Sequence, residues 1–184
     1  SDLEEELFRI EQYVSMALQY QRVNDGSDYV IEELALDRIV REAIRKYAKV
    51  MIRKKLTVSY SGTERKVITD EKWLAFVIEQ LISNAVKYST QGTVQIDVVD
   101  ETNWSYLRIR DQGIGIQKED IPRIFEQGYT GYNGHADKRS TGIGLYLCRQ
   151  VLTKLGHTIR IESEVGKGTT VWVGFSTKKR DHRD

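Results

Sequence analysis

The chain has 184 residues, of which 40% are hydrophobic and 30% are charged, with a formal net charge of +1 and one cysteine. This is the composition of a soluble globular protein of one or two domains, long enough to bury roughly 70% of its unfolded surface, and the balanced charge argues against a nucleic-acid binder. One cysteine excludes an internal disulfide and fits a reducing compartment, and the chain has neither a run of about 18 apolar residues that would cross a membrane nor a signal peptide.

The first predicted element is a helix with a narrow apolar stripe. Its apolar residues recur at spacings of four and three, as on a heptad-like helix face. The stripe consists of Leu3, Leu7, Ile10, Val14 and Ala17. The helix packs either on its own domain or against other helices of a larger bundle, and the narrow stripe with its charged opposite face favours the bundle. Because the chain opens inside this helix without an initiator Met, we expect a piece of a longer protein.

A mixed pattern of strands and helices begins after a loop signal at 24–27. The predicted strands are 29–34, 56–60, 66–68, 93–99, 106–111, 157–162 and 169–175. The predicted helices are 36–55, 70–88 with Asp70 as N-cap, 118–125 and 142–155. The pattern predicts an α/β domain over 26–177, preceded by a helical segment, 1–25. A charged tail, 178–184, follows and is expected to be disordered.

The predicted helix 70–88 has a core face and a polar shoulder. The core face consists of Leu74, Ile78, Leu81, Ile82 and Ala85. A second stripe, about 90° away, contains Gln80, Asn84, Lys87 and Tyr88, so Asn84 lies where a pocket wall would be. A solvated helix edge is an equally good interpretation. An asparagine oxygen can complete a Mg²⁺ shell of waters and phosphate oxygens, and a lysine three residues on can reach a phosphate.

The first of two glycine clusters spans 111–116 and follows a strand pattern. A carboxylate at Asp111 can accept a hydrogen bond from an exocyclic amine, and Gly113 and Gly115 let a flat ring approach the backbone. The alternative is a strand-ending turn, where Asp and Gly are common. The sequence therefore leaves a ligand site and an ordinary turn open at this position.

The second glycine cluster, Gly142 and Gly144, opens a helix pattern. Backbone N–H groups at a helix N-terminus bind phosphate, and the alternative is that Ser140 or Thr141 is simply the N-cap. Lys138 and Arg139 lie just before it and either neutralise phosphate charge or are simply solvated. The polar, glycine-bearing segment between the two clusters has the character of a cover over a ligand.

Five motifs in order resemble those of a known family. The stretch 79–88 looks like its N box, 111–115 its G1 box, 124–126 its F box, 141–145 its G2 box and 166–169 its last glycine box. This family is the ATP-binding domain of bacterial sensor histidine kinases, in the superfamily shared with gyrase, the 90-kDa heat-shock chaperone and the mismatch-repair ATPases. The resemblance implies a two-layer α/β sandwich of the Bergerat type with a mixed sheet. Two stretches, 128–131 at the start of the family's lid segment and 140–147 around the G2 box, look most like those of intramembrane-sensing kinases that answer cell-envelope antibiotics.

The resemblance also implies roles for single residues. Asn84 would bind Mg²⁺, Asp111 would hold the adenine amine, and Phe125 would anchor the lid. The adenine pocket would be lined by Gly113, Gly115 and Thr169. The phosphates would be surrounded by Lys87, Tyr88, Gly142, Gly144 and Leu145. The other expected ATP-binding residues are Ile116, Lys138, Arg139 and Thr141. No residue is assigned as a catalytic acid, base or nucleophile.

One position separates a kinase from a hydrolase. In the superfamily's hydrolases a glutamate four residues before the Mg²⁺ asparagine is the general base for water, and here that residue is Gln80, which cannot take a proton. Glu79 is about 100° round the helix and is expected to point elsewhere. A neutral imidazole is already nucleophilic, so positioning and charge neutralisation suffice for phosphoryl transfer to histidine.

The expected function is thus transfer of the ATP γ-phosphoryl group to a histidine outside this chain, because no histidine precedes His135. The resemblance implies as partners a phosphoacceptor hairpin, of which 1–25 is the second helix, a homodimer mate and a response regulator whose aspartate receives the phosphoryl group. The resemblance also implies that the chain is the cytoplasmic domain of a bacterial membrane protein, which would be anchored only through segments absent from this chain. The alternatives are an ATPase of the same superfamily and a scaffold that does not use nucleotide.

Overall fold

The computed structural model describes residues 2–24, 29–126 and 144–178. The helices are α1 (Asp2–Asn24), α2 (Leu36–Arg53), α3 (Glu71–Tyr88) and α4 (Gly144–Lys154). The strands are β1 (Glu32–Ala35), β2 (Leu56–Tyr60), β3 (Lys66–Thr69), β4 (Gly92–Asp100), β5 (Trp104–Arg110), β6 (Thr158–Glu164) and β7 (Gly168–Ser176). Most of these elements fall within a few residues of their predicted positions.

The main sheet has five strands in the order β2-β4-β5-β7-β6, and β1 pairs with β3 in a separate two-stranded sheet. β2 and β4 are parallel, while the other neighbours in the main sheet are antiparallel. A parallel pair needs a long crossover, and β3 with α3 supplies it. The sheet is therefore mixed, which confirms the predicted α/β class.

One face of the sheet is covered by α2, α3 and α4, and this makes the two layers. The predicted core face of α3 is buried along its whole length. In the sheet, Leu107 and Ile109 of β5 and Val173 of β7 point to the helices and are almost fully buried. Their neighbours alternate to the other face, where Tyr106 and Trp172 pack edge to face. The core thus lies between the helices and the inner face of the sheet.

The apolar stripe of α1 is exposed. The exposed fractions are 71% for Leu3, 54% for Leu7, 54% for Ile10 and 55% for Val14. Contact with the body is made by Phe8, whose ring lies edge-on to Tyr47 with centroids 5.6 Å apart. The stripe is therefore not used for packing on this domain. None of the helices within the described ranges is both long and apolar enough to span a bilayer.

The first strand begins later than predicted. Residues 29–31 are irregular because the Val30 N–H donates to the Asp70 carboxylate rather than to a neighbouring strand, at 2.7 Å. The Tyr29 ring packs against Trp73 of α3, with centroids 5.6 Å apart. The segment is thus anchored to the start of α3, and pairing with β3 begins only at Glu32.

The predicted helix 118–125 is wrong, since the described chain forms only a short 3-10 turn at Ile121–Arg123. Pro122 has no N–H to donate and disfavours a continuous α-helix. The N–H groups of Arg123 and Glu126 instead bond to carbonyls three residues earlier, at 2.9 and 3.0 Å. These i to i−3 bonds are the 3-10 pattern.

Replacing Asp70 with alanine is expected to lower the free energy of unfolding by about 2 kcal/mol. The predicted N-cap is confirmed, because one buried carboxylate oxygen accepts the Trp73 N–H at 2.9 Å while the other accepts Val30 N–H. Alanine leaves both donors without this partner. Chemical denaturation of the purified chain measures the change.

The matched control for this substitution is Glu71→Ala, one residue along the chain. Glu71 pairs with Arg38 at 2.8 Å, but both side chains are largely exposed, so its loss is expected to cost less than about 0.5 kcal/mol. Equal losses for the two variants would contradict the capping role.

Candidate functional site

The residues predicted to line the adenine pocket lie together at one edge of the main sheet, beside the C-terminus of α3. Asp111 directly follows β5, while Thr169 lies on β7 and Ser163 on β6. Ser163 and Thr169 are partners in the sheet register, and alternation places both on the inner face with the core residues. The Ile114 N–H donates to the Tyr88 carbonyl at the end of α3, at 3.2 Å. The strand ends, the loop after β5 and the helix end therefore form one cluster.

The Asp111 carboxylate is held by the backbone on one side. Its Oδ1 accepts the Gly113 N–H at 2.9 Å and the Thr169 N–H at 3.1 Å. Burial raises the pKa of this carboxyl above its usual value, although the two backbone N–H groups act in the opposite direction. Within the described residues no hydrogen bond reaches Oδ2. One oxygen is thus fixed and the other remains available to accept from a ligand.

The glycines of the first cluster are required by the protein's own backbone. A Cβ at Gly113 would lie 2.5 Å from the Tyr88 carbonyl oxygen, and one at Gly115 would lie 2.2 Å from the Glu164 carbonyl oxygen. Gly168 has a φ of +116°, and its Cβ would lie 2.1 Å from the Asp111 carbonyl oxygen. Access for a flat ring was therefore an incomplete reason for these glycines. They let three backbone segments meet around Asp111.

The polar shoulder of α3 is not a solvated edge. Gln80 is only 9% exposed, and Asn84, Lys87 and Tyr88 are half-buried. The Lys87 ammonium lies 5.1 Å from the centre of the Tyr88 ring. Asn84 sits about one helical turn before Tyr88, whose carbonyl joins the loop after β5. The shoulder is thus partly withdrawn from solvent, and it ends at the helix terminus that joins the loop after β5.

Glu79 points away from this cluster, as expected from its place on the helix. Its carboxylate pairs with Lys46 of α2, with Nζ and Oε2 3.0 Å apart. Gln80, the residue next to it, is buried and has no group that accepts a proton near neutral pH. No carboxylate of α3 is therefore directed at the position where a hydrolase would hold its general base.

Lys54 was missed as a residue that positions this site. Its ammonium donates to the Val86 carbonyl at 2.5 Å and also lies 3.4 Å from the Lys87 carbonyl. In the sequence Lys54 lies in a basic run, 53–55, at the end of the predicted helix 36–55, where the simplest interpretation is favourable charge at that helix's own C-terminus. The structure shows that the charge caps the next helix, α3. A cation at the last carbonyls of α3 stabilises the turn that carries Lys87 and Tyr88.

Ser163 was also missed. Its hydroxyl oxygen accepts the Ile116 N–H at 2.8 Å and lies 2.7 Å from the Thr169 hydroxyl. The signal in the sequence was weak, because a serine in a strand pattern is ordinary. A three-residue turn at 165–167 joins β6 to β7, and a hairpin with a turn of that length places Ser163 opposite Thr169.

Several predicted phosphate-binding residues lie outside the described residues. These are Lys138, Arg139, Thr141 and Gly142. Gly144 is the first residue of α4, and Leu145 is half-buried against the core. Phe125 lies under the Arg149 guanidinium of α4, with 5.4 Å from that carbon to the ring centre. The described chain on either side of 127–143 is thus joined by a contact between Phe125 and α4.

His157 and Cys148, two residue types that often carry chemistry, have structural roles here. His157 Nε2 lies 2.9 Å from the Thr69 hydroxyl, and its ring packs on Phe175. Cys148 is fully buried, and burial raises the pKa of its thiol. Among the described residues no group of three or more His, Cys, Asp or Glu side chains is arranged to hold a metal ion. His157 and Cys148 therefore behave as packed side chains.

A family model described as histidine kinase-, DNA gyrase B-, and HSP90-like ATPase matches residues 69–179. The chain belongs to this family. The match includes α3, the glycine loop after β5 and the β6–β7 hairpin, so the elements that build the cluster are those the family shares. The Bergerat-type fold expected from the resemblance is confirmed.

The chain is similar to particular members of this family. The chain is 36% identical over 154 residues to sensor histidine kinase YxdK of Bacillus subtilis, covering 82% of this chain and 47% of YxdK. It is 33% identical over 181 residues to sensor protein BceS of the same bacterium, covering 98% and 54%. A solved chain of the histidine kinase AdeS of Acinetobacter baumannii has the same fold, with a TM-score of 0.72 at 22% identity, covering 90% of this chain and 77% of the solved chain.

The chain spans about half the length of these two curated relatives. The segment that matches the family model, 69–179, contains all five motifs at least in part.

Proposed function

We infer that the chain binds Mg²⁺-ATP and transfers the γ-phosphoryl group to a histidine on a separate helical hairpin, for relay to an aspartate of a response regulator. The observation that carries this proposal is the Asp111 carboxylate, which has one oxygen fixed by Gly113 and Thr169 N–H groups and the other open. A buried carboxylate of this kind recognises a donor such as the adenine amino group.

The residues present also fit a magnesium ion carried by the nucleotide. Mg²⁺ prefers a shell of oxygen ligands that is mostly water and phosphate with one or two protein groups. Asn84 offers one neutral amide oxygen on the half-buried shoulder of α3, and no carboxylate cluster competes with it among the described residues. When bound, the ion would neutralise phosphate charge. Asn84 would orient it, and Lys87 would meet the phosphates as a point charge.

Histidine is a better acceptor than water at this site. Gln80 cannot abstract a proton from water, and Glu79 is engaged by Lys46. A neutral imidazole nitrogen needs no base to attack phosphorus. In the transfer, the bond from phosphorus to the β,γ-bridging oxygen breaks as the nitrogen–phosphorus bond forms, ADP leaves, and the imidazole N–H proton passes to solvent. The domain supplies alignment and charge neutralisation.

The proposed domain boundaries and partners rest on α1 and on the relatives. The exposed stripe of α1 suits the second helix of a dimerisation hairpin, so 1–25 is proposed as hairpin and 26–177 as the catalytic domain. A homodimer mate and a response regulator are the proposed partners. YxdK and BceS are sensor proteins, and we propose a membrane-anchored sensor of cell-envelope stress, attached through segments outside this chain.

The test supplies the chain with a purified hairpin that carries the acceptor histidine and follows radiolabel from γ-labelled ATP. Label is expected on the hairpin and not on this chain, while ATP turnover by the chain alone stays slow. A hairpin with glutamine in place of the histidine is the matched control. Rapid phosphate release by the chain alone, unaffected by the hairpin, would favour the ATPase. The absence of any nucleotide-dependent rise in melting temperature would favour the scaffold.

A further inference from the structure

The Ser163 hydroxyl contacts three groups of the Asp111 cluster at once. Its oxygen accepts the Ile116 N–H at 2.8 Å, its O–H donates to the Gly168 carbonyl at 3.0 Å, and the Thr169 hydroxyl oxygen lies 2.7 Å away. A serine hydroxyl has one proton and two lone pairs, so these contacts use its whole hydrogen-bonding capacity.

Taken alone, the Ser163–Thr169 contact allows either hydroxyl to donate, and only one assignment makes all three contacts hydrogen bonds at once. A carbonyl oxygen only accepts and a backbone N–H only donates. The proton of Ser163 is therefore used at Gly168, and one lone pair is used at Ile116. The remaining lone pair can only receive a proton, which means that Thr169 donates its hydroxyl proton to Ser163. The Thr169 oxygen then has only lone pairs left for a ligand.

The neighbouring carboxylate has the same polarity. Asp111 Oδ1 is occupied by Gly113 and Thr169 N–H groups, and Oδ2 carries lone pairs. Asp111 and Thr169 line the same pocket, and the Thr169 N–H bonds to the Asp111 carboxylate. With this assignment the Asp111 and Thr169 side chains offer two acceptors, and the pair matches a ligand edge that presents N–H groups.

We propose that Ser163 is a positioning residue for base specificity. By holding the Thr169 hydroxyl as an acceptor beside Asp111, it makes the site favour 6-aminopurine nucleotides and reject 6-oxopurine nucleotides. An amino group donates two protons to this edge, whereas a carbonyl oxygen at the same position meets lone pairs. Unpaired polar groups are the strongest basis for rejecting a close analogue. The proposal rests on the proposed nucleotide-binding function.

The test measures dissociation constants for ATP and ITP, whose bases differ at the 6-position and the adjoining ring nitrogen, by calorimetry. Ser163→Ala frees the Thr169 hydroxyl to turn and donate to the 6-oxygen. The ratio of the ITP to the ATP dissociation constant is expected to fall about tenfold. A purely structural role would weaken both nucleotides equally and leave the ratio unchanged, and that result would overturn the proposal.

Two further variants complete the design. Ser105→Ala removes a buried hydroxyl from β5 that bonds to Asp100 at 2.6 Å, away from the cluster, and is expected to leave the ratio as in the wild type. Thr169→Val removes the oriented hydroxyl while keeping Ser163, and is expected to lower the ratio even if Ser163→Ala does not fold. A wild-type chain that binds ATP and ITP equally would refute the role of Ser163 alone. A chain that binds neither would refute the proposed function itself.

Discussion

Replacing Asp111 with alanine is expected to weaken ATP binding about 100-fold, or about 3 kcal/mol. Alanine removes the acceptor for the base amine and also leaves the N–H groups of Gly113 and Thr169 without their shared partner. Calorimetry with ATP measures the affinity, and the shift in melting temperature with ADP gives an independent estimate. Unchanged binding would refute the assignment of this site.

Asp111→Asn separates recognition from folding. The amide oxygen can still accept both backbone N–H groups, but the amide nitrogen then presents a donor where the ligand needs an acceptor. Affinity is expected to fall nearly as far as in the alanine variant. Because burial raises the pKa of Asp111, its carboxylate form opposes folding at neutral pH. The Asn variant should therefore be at least as stable as the wild type without nucleotide.

The raised pKa of Asp111 also fixes the direction in which ATP affinity depends on pH. A protonated Asp111 cannot offer two acceptor oxygens, so ATP affinity should decline as pH falls through the raised pKa. The decline begins at a higher pH than for an ordinary aspartate, whose pKa is about 3.9. The Asn variant has no proton to gain there and should lack this dependence.

Replacing Asn84 with alanine is expected to slow phosphoryl transfer to the supplied hairpin by about 100-fold to 1,000-fold, with a smaller loss of ATP affinity. Asn84 offers the one neutral oxygen proposed for the magnesium ion, whereas base recognition by Asp111 is separate from it. Transfer rates measured across a magnesium titration should show a higher metal requirement.

Ser83→Ala is the matched control for Asn84, since it changes the adjacent half-buried position of α3 and is expected to transfer at the wild-type rate. Asn84→Asp supplies a carboxylate oxygen and should recover part of the lost transfer. If Asn84→Ala transferred normally with an unaltered magnesium requirement, the metal assignment would be wrong.

Periodicity predicted the parts of this protein that depend on local sequence. The buried core face of α3 was predicted correctly because the position of a residue along a helix fixes the direction of its side chain. The N-cap at Asp70 was predicted correctly because an acceptor at that position bonds within the first turn. The error at 118–125 has a local cause as well, since Pro122 limits the segment to a 3-10 turn.

Contacts between distant segments were not predictable in this way. Lys54 reaches carbonyls 32 and 33 residues away, and Ser163 accepts an N–H from 47 residues earlier. Nothing in the residues around either position indicates such a partner. The reason for the glycines was also predicted only in part. The backbone segments that leave no room for a Cβ at these positions belong to other elements.

The mutual bonds between Asp111 and Thr169 tie the recognition edge to the sheet. The Asp111 N–H donates to the Thr169 carbonyl at 2.9 Å, and the Thr169 N–H returns a bond to the Asp111 carboxylate. A base would thus meet an edge that is already ordered, at little cost in conformational entropy. Folding free energy and base affinity share the same hydrogen bonds, so fraying at this end of β7 would appear as lost affinity before the domain unfolds.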